Sequence, residues 1–296
     1  MRVVVVALAI CAAALPAAAQ DLDRDGLPDA LEQALLERFT PRLLLDSNEC
    51  NDVPASFKPG LRDPFVLAKD ATLYGQAFLA KSADGRAQVE LHFYHLWERD
   101  CGRPGHALDA EHVSALVSAP SVDAPASEWA ADVWYAAAHE DTLCDASSGA
   151  QARALGAEHS GPNVFVSRGK HASYFNNGQC KWGCGADSCD GARVVAPARI
   201  VNLGERDAPL NGAVWLQSGR WPLARKLQSD FDPSVRASLD QSGAARIVAL
   251  MTHRRATQAP VLAGDTALDG LATAVKSTGR ALGTTRRAVT RFLSWK

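Results

Sequence analysis

Two stretches that alternate with a period of two constrain this chain more than anything else in it. "LYGQAFLA" (73–80) and "QVELHFYHLW" (88–97) place apolar and polar side chains in turn, with the turn signal "ADGR" at 83–86 between them. A period of two sends successive side chains to opposite faces, as a strand requires and a helix forbids. "HVSALVS", "DVWYAAA" and "NVFVSRG" follow as further strands, and "VVAPARIVNLG" at 194–204 as another, weakened by its internal Pro197. From Leu43 to about Trp221 the chain is read as many short strands with irregular loops and no internal repeat. The expected fold class is mainly β, an antiparallel β-sandwich with a few peripheral helices and disulfides.

The first residues set the expected compartment. Met1–Arg2, the apolar run "VVVVALAICAAAL" and the small-residue pattern "PAAAQ" read as a signal peptide over 1–19, cut after Ala19. A lipoprotein reading would need Cys11, which Ile10 precedes poorly. No later run approaches the ~20 apolar residues of a spanning helix, so a secreted or periplasmic location is expected. Beyond the leader stand Cys50, Cys101, Cys144, Cys180, Cys184 and Cys189. An even set in an oxidising compartment implies disulfides, with fifteen possible pairings for three bridges. At least one is expected to tie the 180–189 cluster to Cys144 or Cys101; a thiolate zinc site is the competing reading. The formal net charge of −2 argues against a nucleic-acid partner.

Immediately after the leader comes "DLDRDGLPDALE". Asp21, Asp23 and Asp25 fall at positions 1, 3 and 5 of a calcium loop, Gly26 at the turn position 6, the Leu27 carbonyl at 7, Asp29 at 9 and Glu32 at 12. This spacing wraps oxygens around one point, as Ca2+ requires. A helix follows over 29–39, with Leu31, Leu35, Leu36 and Phe39 on one face. A single loop of this kind implies a structural role, since it lacks the helix pair that opens in sensors; a solvated acidic N-terminus is the plainer alternative. At the other end, from Asp265, apolar residues recur at helical spacing opposite Lys276, Arg280, Arg286, Arg287, Arg291 and Lys296. Such a basic amphipathic C-terminal helix can make peripheral contact with an anionic membrane, pack on its own domain, or stay loosely ordered. The organisation read from these signals is a leader (1–19), a calcium-binding loop and helix (20–40), a β-sandwich domain (41–260) and a basic helical tail (261–296).

"GHALDAEHV" at 105–113 concentrates titratable groups. On a strand Asp109 and Glu111 share a face about 6.6 Å apart, while His112 points the other way. Two carboxylates so close repel unless a cation or donors lie between them. His106 precedes them, and Glu98 and Asp100 end the strand before. A metal held by His106, Asp100, Asp109 and Glu111 would be oxygen-rich, suiting Mg2+, Ca2+ or Mn2+. His139 and His171 stand at two later strand ends, where a histidine is more often a hydrogen-bonded surface residue than a ligand.

The segment "HLWERD…GHALDAEHVSALV" resembles the GHRHDWE segment of the necrosis- and ethylene-inducing toxins. The order "RFTPRLLLDSNECNDVPASF", "DAEHVSALV", "VWYAAAHED", "NVFVSRGKHASYF" is similar to the family of vacuolar protein sorting-associated protein sixty-two. The resemblance spans roughly residues 38–176 as an ordered set of short motifs. It implies a β-sandwich and a divalent cation at His106, Asp109 and Glu111, with Asp100 or Glu98 in the place of the preceding acidic ligand. Leu108 and Ala110 replace that motif's second histidine and its tryptophan, which puts cytolytic activity in doubt.

Three functional classes follow. The first is a secreted, calcium-stabilised β-sandwich whose acidic, histidine-flanked cleft binds a glycan, lipid head group or other cell-surface ligand. The second is a metal-assisted hydrolase or lyase with His139 or His171 as general acid or base. The third is a structural envelope protein. No serine elbow, HExxH or phosphate loop is present, so binding is preferred over catalysis.

Overall fold

The computed structural model describes residues 20–250 apart from 83, 103–104, 141, 143, 183–186, 232–234, 238 and 240–246. The leader and the basic tail lie outside the described residues. The chain runs α1 (Asp29–Arg38), β1 (Arg42–Leu45), β2 (Ser56–Phe57), β3 (Val66–Ala68), β4 (Thr72–Ala80), β5 (Ala87–Asp100), β6 (His106–Ala119) and β7 (Ala130–Ala136). It continues through β8 (Ser148–Gln151), α2 (Ala152–Leu155), β9 (Asn163–Val166), β10 (Ser173–Tyr174), β11 (Arg193–Val195), β12 (Arg199–Asn202) and β13 (Ile247–Ala249).

One sheet has the strand order β12-β4-β5-β6-β7-β8-β13, a second β10-β9-β1-β11, and β2-β3 form a small ribbon. The expected sandwich is therefore present, though mixed: β12 pairs with β4 and β1 with β9 in parallel. Pro197 sits between β11, in the smaller sheet, and β12, in the larger one. The single strand anticipated at 194–204 is thus two strands that change sheets at the proline, which lacks a ladder N–H.

Alternation positions the two layers. Val89, Leu91, Phe93 and Trp97 of β5 and Val113, Ala115 and Val117 of β6 pack with Leu43, Leu45, Val164 and Val166 of the smaller sheet. Leu35, Leu36 and Phe39 of α1 enter the same cluster, and each such side chain taken fully from water contributes about 1.5–3 kcal/mol. The opposite face of β5 and β6 is not left to water, although its side chains are largely polar. Tyr94, Leu96 and Ala110 pack under Leu203, Trp215, Leu216, Trp221 and Leu223, so β5 and β6 are covered on both sides. Glu90, His92, His112 and Ser114 are consequently buried polar residues.

Candidate functional site

The N-terminal loop folds on its own carboxylates. Asp21 accepts from the Arg24 and Gly26 amides (2.7 and 3.2 Å), Asp25 from Leu27 N (2.7 Å) and Asp29 from Leu22 N (2.8 Å). Gly26 has φ 94°, a conformation that a Cβ would strain. Both Asp23 carboxylate oxygens, Asp25 Oδ2 and Glu32 Oε1 are buried without a hydrogen-bond partner. Ligand oxygens of Asp23, Asp25 and Glu32, and of Asp21, Asp23 and Asp29, lie within 4.8 Å of one another. Burial, with repulsion between these acids, pushes Asp23 and Asp25 up to about 6 and Glu32 up to about 9. Bare anions do not tolerate this setting, whereas a dication fits it. The remaining Glu32 oxygen accepts from Asn202 Nδ2 of β12 at 2.9 Å, which ties the loop to the edge of the large sheet.

The second site lies where β5 and β6 meet the loop after β9. Asp100 pairs across the ladder with His106, Trp97 with Asp109 and His95 with Glu111. Four carboxylates at this end have a basic partner at hydrogen-bond distance. Asp100 pairs with Lys170 (2.8 Å), Asp109 with His171 Nδ1 (2.7 Å), Glu111 with Lys226 (2.7 Å) and Asp187 with His139 Nε2 (2.7 Å). Three non-glycine residues here, Leu108, His139 and His171, have φ between 53° and 59°. Left-handed backbone at bulky residues is costly and persists only where the surroundings enforce it.

The two histidines differ in kind. His171 is fully buried, stacked on Trp97 with ring centroids 4.2 Å apart. Its Nε2 faces Glu49 Oε1 at 3.3 Å and Asn51 Nδ2 at 3.1 Å. Burial opposes its charge, but hydrogen bonds to Asp109 and then Glu49 prevail and raise it to about 9. His171 is thus a buried imidazolium that positions Asp109 and does not reach a ligand. His139 keeps 18% of its side chain exposed. Burial lowers its proton affinity, yet the Asp187 hydrogen bond and charge raise it overall. Asp187 in turn accepts from Tyr174 Oη. Burial and the Asp109 charge raise Glu111 despite Lys226.

The expected cleft residues do share one end of the sandwich, with exceptions. Glu98 turns outward to Lys69 at 2.6 Å. His106 is more than half exposed, with Nε2 3.5 Å from Asp100 Oδ2. Asp100, Asp109 and Glu111 each face a different protein cation, and among the described residues their ligand atoms form no convergent set. The donor set therefore fits a divalent cation poorly, because lysine and imidazolium already supply its charge. His112, as anticipated, points to the opposite face and bonds Asp230 at 2.9 Å. Sequence reasoning missed Glu49, Lys170, Asp187 and Lys226. Lys170 alone carried a local signal, as the neighbour of His171; the others come from segments distant along the chain.

Cys50 pairs with Cys101 and Cys180 with Cys189. Cys144 is disulfide-bonded too, to a partner outside the described residues. The Cys50–Cys101 bridge holds the Glu49 loop at the end of β5, beside His171. Bridges of this kind match an oxidising compartment, and no described helix is long and apolar enough to cross a membrane.

No family model and no curated protein matches the chain. Solved structures do. NLPPya in complex with glucosamine is 17% identical, with a TM-score of 0.37, over 78% of this chain and 96% of its own. A structure described as a toxin fold for microbial attack and plant defense is 16% identical, with a TM-score of 0.38, over 76% and 99%. Necrosis and ethylene inducing protein 2 from the causal agent of cocoa's witches' broom disease is 14% identical, with a TM-score of 0.36, over 76% and 97%. The chain is similar to necrosis- and ethylene-inducing toxin structures, and at these identities the likeness concerns overall fold alone.

Proposed function

We propose that the protein is a secreted binding protein, stabilised by Ca2+ at Asp21, Asp23, Asp25, Leu27, Asp29 and Glu32, whose ion-paired cleft takes a polar cell-surface ligand such as a glycan or a lipid head group. The observation that carries the cleft reading is the set of four carboxylate–cation pairs held at one end by left-handed backbone. Paired charges present donors and acceptors side by side, and hydroxyl-rich ligands exchange with both. Lys170 and Lys226 keep part of their side chains in solvent and form the accessible rim, with Glu111 buried behind Lys226. Amino sugars, one of which occupies NLPPya, are the first probes.

The test is a calorimetric or NMR titration with glucosamine, mannosamine and soluble phospholipid head groups, comparing wild type with Glu111→Gln. Removing the Glu111 charge while keeping its shape should weaken binding about tenfold or more, the loss of one charged hydrogen bond of about 1.5–3 kcal/mol. Unchanged affinity would refute the cleft as the binding site. A proton-transfer role has one specific support: His139 is oriented by Asp187 and partly open to solvent, the arrangement of a general base. Turnover of any ligand that binds, lost in His139→Gln, would favour this second reading.

A further inference from the structure

A separate cluster lies under the layer that covers the outer face of the large sheet. His92 of β5 and His112 of β6 stack with ring centroids 5.8 Å apart and planes at 21°. Asp230, from the covering layer, stands against both: its Oδ2 is 2.9 Å from His112 Nε2 and 3.6 Å from His92 Nδ1. Ser114 Oγ also donates to this oxygen at 2.6 Å. All three residues are at most 1% exposed. We propose that His92 Nδ1, His112 Nε2 and Asp230 Oδ2 form a structural site for a divalent transition metal of the Zn2+ class.

Two features support the assignment. The first is spacing. Ligands about 2.0–2.1 Å from a tetrahedral ion stand about 3.3 Å apart, and the observed 2.9 and 3.6 Å bracket that value. The second is orientation. Glu90 accepts from Asp230 N (2.6 Å) and Ser229 Oγ (2.7 Å), and its Oε1 lies 2.8 Å from His92 Nε2. An acceptor so placed holds the His92 proton on Nε2 and turns the Nδ1 lone pair toward Asp230. A carboxylate behind a ligating histidine is the usual outer partner in metal sites. Two imidazoles with one carboxylate suit Zn2+ or Co2+ better than Ca2+. Such an ion would fasten the covering layer to β5 and β6, a task distinct from that of either site above.

The test uses Co2+ as a spectroscopic stand-in for Zn2+. The purified protein, stripped with chelator and titrated with Co2+, should bind a stoichiometric equivalent with the visible bands of a low-coordinate ion, and Zn2+ should displace it. The signal should vanish in His92→Gln and Asp230→Asn, persist in Asp23→Ala with Asp25→Ala, and resist excess Ca2+. No bound Co2+ in the wild-type protein, or binding that survives both cluster variants, would overturn the proposal. The wild-type result alone decides the matter if the variants fail to fold.

Discussion

The buried imidazolium His171 makes stability depend on pH in a calculable way. Its folded-state value of about 9 lies above the ordinary 6.5. The protonated ring therefore stabilises the fold; the contribution is complete below about pH 6.5 and is lost as the pH rises through about 9. A rise of this size corresponds to about 3 kcal/mol. Asp109, at 2.7 Å, supplies the larger share and Glu49, at 3.3 Å, the rest. Asp109→Asn keeps the shape and removes the nearer charge. It should cost about 2 kcal/mol near pH 6.5, or ~4–8 °C in melting temperature for a domain of this size. The cost should shrink toward pH 9, where the wild type has lost the same contribution. His139 is also raised and acts in the same window, so the difference between the two proteins isolates His171. Urea unfolding followed by tryptophan fluorescence reads it, since Trp97 stacks on the ring. Equal stability of the two proteins at pH 6.5, or a cost that does not change toward pH 9, would refute the argument. A cost of this size also gives Asp109 a structural task, so Glu111 and not Asp109 is the cleaner probe of ligand binding.

Chelation should lower the melting temperature by about 5–10 °C if free Ca2+ stands near 100 times its dissociation constant, the equivalent of about 2.7 kcal/mol; Asp21→Ala with Asp25→Ala should abolish the response, and equal melting with and without chelator would exclude the calcium loop. Replacing both Cys50 and Cys101 by Ala opens a loop with a sequence separation of 51 and should cost about 4 kcal/mol by chain entropy, measured by urea unfolding as a lower midpoint with a steeper slope, since the opened unfolded chain exposes more surface. That variant should also loosen Glu49 and flatten the alkaline loss of stability, whereas opening Cys180–Cys189 should leave it intact.

What the sequence determines by itself is what lies within a few residues. The alternation of 88–97 and 112–118 specifies β5 and β6, because a strand's period is visible in any short window. The spacing from Asp21 to Glu32 specifies a loop whose oxygens converge, since a turn this tight brings its own ligands together. Asp109 and Glu111 were legible as same-face carboxylates for the same reason. Their partners were not. His171 is 62 positions from Asp109, Lys226 is 115 from Glu111, and Asp230 is 118 from His112. Nothing in the local pattern distinguishes a carboxylate that awaits a metal from one that a distant lysine will neutralise. Alternation also shows that one face of β5 and β6 is polar, but not that it is dry; only the layer folded back from 203–231 buries His92, His112 and Glu90. Tertiary packing decided which charges meet and which lose their water, because burial and pairing depend on segments that sequence distance keeps apart.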